Sequence, residues 1–267
     1  MLNAGKKNVI GIKVDAVDYE AAEDLIFKAA GDKRGATVSA LAVHGVMTGV
    51  LSAEHKFRLN SFDLLVPDGQ PVRWVLNLLY GARLLDRVYG PKLTLRVCSR
   101  AAAEGVPIYL YGSTSEVLTE LTTSLLERFP RIQIAGAEPS KFRRLSIEEK
   151  VLLVERIRRS GAAITLVGLG CPRQESFAYE LREVLSMPIL AVGAAFPFIA
   201  GRLPQAPSWM QRRGLEWLFR FCSEPLRLWR RYLFLNPAYV FLVAMQASRL
   251  LQFSTSGSSP DQEQLFG

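Results

Sequence analysis

Cysteine and histidine are scarce in this 267-residue chain, with three of the first and two of the second. Cys98, Cys171 and Cys222 lie far apart and form no CxxC pair. That excludes a disulfide framework or zinc knuckle as the organising device and fits a reducing cytoplasm. No DxD occurs, and no His/Cys/carboxylate group has metal-ligand spacing along the sequence. Neither an obligatory metal nor another cofactor is therefore expected. GxGxxG and Walker A sequences are also missing, so NAD and ATP readings lose support. No apolar run reaches the roughly 18–20 residues that a membrane span needs. Residues 1–7 lead into a short apolar strand rather than a signal-peptide core, so secretion is not expected. There is no internal repeat.

What is present is a globular composition, 49% hydrophobic and 22% charged, long enough for one large domain or one domain with an appendage. Up to about residue 195, short β-rich runs at 8–14, 37–43, 62–66, 107–111, 131–135, 162–167 and 188–192 alternate with helical patterns at 19–30, 46–60, 71–79, 92–104, 114–128, 147–160 and 173–185. Such alternation means βαβ units and a largely parallel sheet. After Phe196 the character changes. A loop at 201–207 precedes helical stretches 209–222, 225–235 and 237–253, rich in Trp, Phe, Leu and Arg. Residues 254–267 are Ser/Gly/Pro-rich and polar, and read as disordered. The net charge of +8 is unevenly placed, since residues 201–253 carry eight arginines against Glu216 and Glu224. That excess calls for an anionic partner: a lipid surface, a phosphate-bearing substrate or nucleic acid.

The most informative segment is Val66-Pro67-Asp68-Gly69-Gln70-Pro71-Val72. It sets a carboxylate on a tight turn directly after an apolar strand. In an open α/β sheet, ligands bind beyond the carboxyl ends of the strands, and a carboxylate held there can act as general base. Asp68 could equally cap a helix starting near Gln70. Tyr111-Gly112-Ser113-Thr114 joins a strand to a helix and could receive a diphosphate at the helix N-terminus. Gly168-Leu169-Gly170-Cys171-Pro172-Arg173-Gln174-Glu175 is more distinctive. Gly168 and Gly170 permit close backbone approach, Pro172 suits a first helical position, Arg173 and Gln174 could hold a nucleotide, and Glu175 favours the positive helix end. Arg87 and Tyr89 offer a cation and a phenol before another helix, or plain surface packing. Between the histidines, His44 reads as a core or cap residue and His55 as a solvated helix residue. The run from Arg220 to Tyr232 interleaves arginines with aromatics, which suits a lipid interface, single-stranded nucleic acid or a packed amphipathic helix. The apolar stretch 239–251, too short to span a bilayer, tilts the reading toward a membrane surface.

These segments, in this order, resemble the WecB/TagA/CpsF glycosyltransferase family (family 26). The resemblance covers roughly residues 8–245. It rests on the PDGxPV core of 62–72, RVYGPxL at 87–93, Pro139-Ser140-Lys141-Phe142, GLGxPRQE at 168–175, VGAAFxFxAG at 192–201, Ala206-Pro207-Ser208-Trp209-Met210, and GLEWLxR…EPxRLWRRY at 214–232. Members build cell-surface polysaccharides, including capsule, exopolysaccharide and teichoic acid linkage units. The resemblance implies an inverting, metal-independent transfer from a UDP-sugar, often UDP-N-acetylmannosamine, to a sugar on undecaprenyl diphosphate. It makes Asp68 the general base, places Arg87 and Gln174 at the donor, and brings Arg220, Arg227 and Arg230 to the diphosphates. Two departures matter. The family's Thr-x-Asn reads Ala40-Leu41-Ala42 here, and an FDF aspartate is replaced by Pro197. Both remove polar contacts, so the donor sugar stays open between hexose and N-acetylhexosamine types.

The combined expectation is a Rossmann-like, largely parallel α/β core at 1–200, a helical membrane-associating appendage at 201–253 and a disordered tail at 254–267. The expected partners are a UDP-sugar, a lipid-linked diphosphate acceptor and an anionic membrane surface at the cytoplasmic face. Nucleic acid is not expected, and a homo-oligomer stays open. The rivals are a noncatalytic membrane-associated assembly partner and a nucleic-acid-binding protein using the basic C-terminus.

Overall fold

The computed structural model describes residues 1–267, apart from the side chains of Arg227 and Arg231. Its strands are β1 (Asn3–Val9), β2 (Ile12–Val17), β3 (Ala36–Leu41), β4 (Leu64–Pro67), β5 (Ile108–Gly112), β6 (Ile134–Glu138), β7 (Ile164–Gly168) and β8 (Pro188–Ala191). Six of them form one parallel sheet in the order β4-β3-β8-β7-β5-β6, flanked by helices. This is the α/β, Rossmann-like architecture that the alternation predicts.

Period-2 alternation divides the side chains of each central strand between the two sheet faces. Leu64, Val66, Ile108, Leu110, Ile164 and Leu166 enter one core. Leu65, Tyr109, Tyr111 and Val167 enter the other. Burial on both faces explains why these strands read as short continuous apolar runs. Local chemistry fixes the helix starts. Asp18, Ser52 and Thr114 accept from backbone N–H groups of the first turn, and Ser146 forms a reciprocal capping box with Glu149.

Four sequence expectations are corrected. The single strand at 8–14 is a hairpin, β1 with antiparallel β2, turning at Ile10 (φ 43°) and Gly11 (φ 94°). A left-handed Ile is rare, so the turn lacks the Asn-Gly signature that would reveal it. The helix at 46–60 breaks into Val43–Leu51 and Ala53–Asn60, because Ser52 adopts an extended backbone and caps the second. His55 on that second helix is buried rather than solvated, since the helix packs toward Arg173–Leu181. Residues 254–267, polar enough to read as disordered, are hydrogen-bonded along the core. Asn60 donates to the Thr255 carbonyl (2.7 Å), Gln264 and Leu265 donate their N–H groups to Glu180 (2.6 and 3.0 Å), and Leu145 donates to the Leu265 carbonyl (2.7 Å). The core supplies hydrogen-bond partners for tail backbone groups that find none within the tail itself.

From Ser208 the chain forms helices Ser208–Arg212, Glu216–Ser223 and Pro225–Arg230, then a π-helical turn Arg231–Leu235 running into Asn236–Ala247. Along the continuous run from Pro225, Leu228, Tyr232 and Tyr239 are buried, while Leu226, Trp229, Leu233, Val240 and Phe241 are exposed. The three- and four-residue spacing puts the exposed set on one side. Among the described residues, no helix is long and apolar enough to cross a membrane.

Candidate active site

The turns after β3, β4, β5, β7 and β8 converge at the carboxyl edge of the sheet, where they wall a cavity of about 790 Å³. Ala42 and His44 come from the first turn, Asp68 from the second, Ser113 from the third, Leu169–Cys171 from the fourth and Val192–Ala195 from the fifth. Phe142 from the loop after β6 and Glu216, Arg220, Arg230 and Phe234 from the C-terminal helices complete the wall. A smaller chamber of about 90 Å³ adjoins it and is lined by Arg87, Gln70, Trp217 and Tyr232. Asp68, His44, Glu216 and Arg220 line both, so the Asp68 carboxyl stands at the junction.

The backbone of Asp68 is anchored by its N–H to the Leu41 carbonyl (3.1 Å). The cap of helix Gln70–Tyr80 is Gly69, with no side-chain bond, so Asp68 does not serve as the cap of its own helix. Instead its Oδ1 accepts from the Gly90 N–H (2.7 Å) at the start of helix Gly90–Glu104. Burial raises the carboxyl to a pKa of about 6, with Glu216 adding to the rise and Arg87 opposing it. A carboxyl poised there is ionised at neutral pH yet basic enough to take a proton.

Arg87 is buried. Its guanidinium forms an ion pair with Glu216, reaches Gln211 Oε1 (3.5 Å) and lies over the Tyr89 ring, 4.2 Å from its centroid. Burial works against its charge, but Asp68 and Glu216 outweigh that and hold it firmly protonated. Tyr89 lines the large cavity, and burial keeps it a neutral phenol.

The turn after β7 presents Gly168, Gly170, Arg173, Gln174 and Glu175 to the large cavity. Gln174 is chiefly internal: its Oε1 accepts from Gly170 N–H (3.1 Å) and its Nε2 donates to Glu175 (2.8 Å). Glu175 also accepts from Ser39 Oγ (2.9 Å), so it organises the loop rather than serving only the helix dipole. Gly112 is not in the cavity wall. A Cβ there would lie 2.9 Å from the Gly168 backbone, so its role is to let β5 and β7 approach, and the neighbouring Ser113 reaches the cavity instead. Gly168 itself faces the Phe196 ring, which a Cβ would meet at 2.4 Å. Gly168→Ala will therefore overpack this turn and lower stability by about 1–3 kcal/mol, read as a shift of the denaturant midpoint at unchanged slope.

Arg220 and Arg230 line the large cavity. The side chain of Arg227 lies outside the described residues. His44, set aside as a core or cap residue, lines both chambers, and Ala40, Ala42 and Pro197 lie on the wall, so the two family departures do face the pocket. Glu216 is the residue that sequence reasoning missed. Its signal was that residues 201–253 hold only two acids among eight arginines.

The chain matches the model of the glycosyl transferase WecG/TagA/CpsF family over residues 7–252, and it belongs to that family. It is thus a glycosyltransferase of cell-surface polysaccharide synthesis, a role that calls for a sugar donor and a lipid-linked acceptor.

Proposed function

We propose that this family member moves a hexose- or N-acetylhexosamine-type sugar from a UDP-sugar to a sugar carried on polyprenyl diphosphate, with inversion. The single observation that carries this reading is the Asp68 carboxyl at the junction of two chambers, with Arg87 and Arg220 beside it. The large cavity has the size of a nucleotide-sugar site. Asp68 takes the proton of the acceptor hydroxyl, whose oxygen attacks the anomeric carbon from the face opposite UDP. The bond from that carbon to the diphosphate breaks, and UDP leaves with the electron pair. Cationic side chains meet the departing charge in place of a metal ion, as fixed positive groups do at developing anions elsewhere. Arg87, Arg220 and Arg230 fill that role, with Arg227 as the remaining candidate.

The acceptor's lipid and the exposed apolar side of the C-terminal helices belong together in this reading. Residues 201–253 act as the membrane-associating part of a peripheral enzyme at the cytoplasmic face, and 1–200 act as the transferase core. The test is UDP release with a panel of UDP-sugars and a short-chain polyprenyl-diphosphate-linked sugar. Release that needs both donor and acceptor supports the reading and names the donor. A protein that binds no UDP at all overturns it.

Glu216 supplies a prediction about pH. Activity needs ionised Asp68, so it will fall as pH drops through about 6. Because Glu216 pushes the Asp68 pKa up, Glu216→Gln will move that acid limb to lower pH. A pH–rate profile of kcat/KM checks both statements, and an unmoved limb in the variant would contradict them.

A further inference from the structure

Behind the turn after β7, side chains from two remote stretches meet. His55 comes from helix Ala53–Asn60, Cys171 from the turn and Glu175 from the first turn of Arg173–Leu181. One imidazole nitrogen, the thiol sulfur and one carboxylate oxygen all lie within 4.8 Å of one another. The group is enclosed: His55 is 4% exposed and Glu175 is 0% exposed, while Cys171 is half-buried. Two of its atoms, His55 Nε2 and Glu175 Oε2, are buried with no hydrogen-bond partner. Such orphaned polar atoms are costly and call for an explanation.

Glu175 Oε1 accepts from Ser39 Oγ (2.9 Å) and Gln174 Nε2 (2.8 Å), which fixes the carboxylate, and the Cys171 thiol is a further hydrogen-bond partner of the same carboxylate. The carboxylate, the thiol and the unpartnered imidazole nitrogen thus bring an oxygen, a sulfur and a nitrogen donor to one enclosed point, a set that suits a positive centre. A divalent ion supplies it, because the thiolate and carboxylate together balance its charge.

We propose that His55, Cys171 and Glu175 form a binding site for a thiophilic divalent cation of the zinc class. A sulfur, nitrogen and oxygen donor set selects Zn²⁺ or Co²⁺ over Mg²⁺ and Ca²⁺. Zinc bonds of about 2.0–2.3 Å in tetrahedral geometry place ligand atoms roughly 3.3–3.8 Å apart, so the side chains close in modestly on the ion. Cys171 and Glu175 also line the large cavity, which leaves the fourth position to water from that side. On binding, the Cys171 thiol proton and any proton on Glu175 pass to solvent, with no change of oxidation state. The ion pins the glycine-rich turn 168–175 to helix Ala53–Asn60. Sugar transfer is not routed through it, and the site does not depend on the donor or acceptor assigned above.

The test is titration of the full-length, chelator-stripped protein with Co²⁺. One equivalent per chain is expected, with the near-ultraviolet thiolate-to-cobalt absorption that marks a sulfur ligand and with displacement by Zn²⁺. Cys171→Ser will abolish that absorption, and His55→Ala will weaken binding about tenfold or more. A wild-type measurement needs no variant to fold. Zn²⁺ will slow alkylation of Cys171 about tenfold or more while leaving the exposed Cys222 unaffected. No thiolate absorption with Co²⁺, an absorption that persists in Cys171→Ser, or an unchanged Cys171 alkylation rate would each overturn the site.

Discussion

Asp68→Asn will cut turnover by about 10²–10⁴-fold while leaving donor affinity close to that of the wild type. The Asn carbonyl oxygen can still accept the Gly90 N–H that now reaches Oδ1 at 2.7 Å, so the junction between the chambers keeps its shape. Arg87 keeps Glu216 as its ion-pair partner, so the variant leaves no buried guanidinium stranded. What disappears is a proton acceptor with a pKa of about 6 at the junction. A loss of that size is roughly 3–5 kcal/mol of transition-state stabilisation at about 1.4 kcal/mol per factor of ten. The measurement pairs UDP release under saturating acceptor with calorimetric UDP-sugar binding. A fall of less than tenfold in kcat would remove Asp68 from the role of base.

Leu226→Ser/Leu233→Ser/Phe241→Ser will release the protein from anionic vesicles. These positions are 92%, 59% and 61% exposed and lie along one side of the continuous helical run from Pro225. Burying a Leu or Phe side chain fully contributes about 1.5–3 kcal/mol, so three partly inserted side chains amount to about 3–5 kcal/mol, or at least a hundredfold in partitioning. The arginines of the same segment add on the order of 1 kcal/mol each at an anionic surface and make the residual binding salt-sensitive. Since these side chains are not packed in the core, the thermal midpoint should hold. Vesicle flotation at low and high salt is the readout, and unchanged flotation of the triple variant would sink the membrane assignment. Point substitutions are the right instrument. Deleting the chain from Trp209 onward would also strip residues 254–267 from Asn60, Glu180 and Leu145, and would confuse lost binding with lost stability.

Much of this protein is legible in its local sequence. Buried parallel strands must be short apolar runs, and helices need their caps and periodic faces, so the α/β alternation up to about residue 195 writes the sheet into the chain. The turn at Asp68 is equally local, because Pro67, Gly69 and Pro71 leave the backbone few alternatives. The excess of arginine after residue 201 needs no structure to be seen. Where local rules mislead, a local exception is responsible: a left-handed Ile10 hides the first hairpin, and an extended Ser52 divides a helix whose apolar pattern reads through it.

Tertiary structure decided which distant residues share a space. Arg87 and Glu216 are 129 positions apart, and no pattern around either names the other. His55 reads as a solvated residue until the helix Ala53–Asn60 is laid against the loop bearing Cys171 and Glu175. The tail 254–267 is polar by composition, yet its backbone is held by the Asn60 and Glu180 side chains of the core, which composition cannot count. The physical reason is common to all three. Periodicity and turn chemistry act over a few residues and fix each element, whereas a site is made by the order in which strands join the sheet. Here that order, β4-β3-β8-β7-β5-β6, carries the turn bearing Asp68 and the turn bearing Gly168–Glu175 to the same edge.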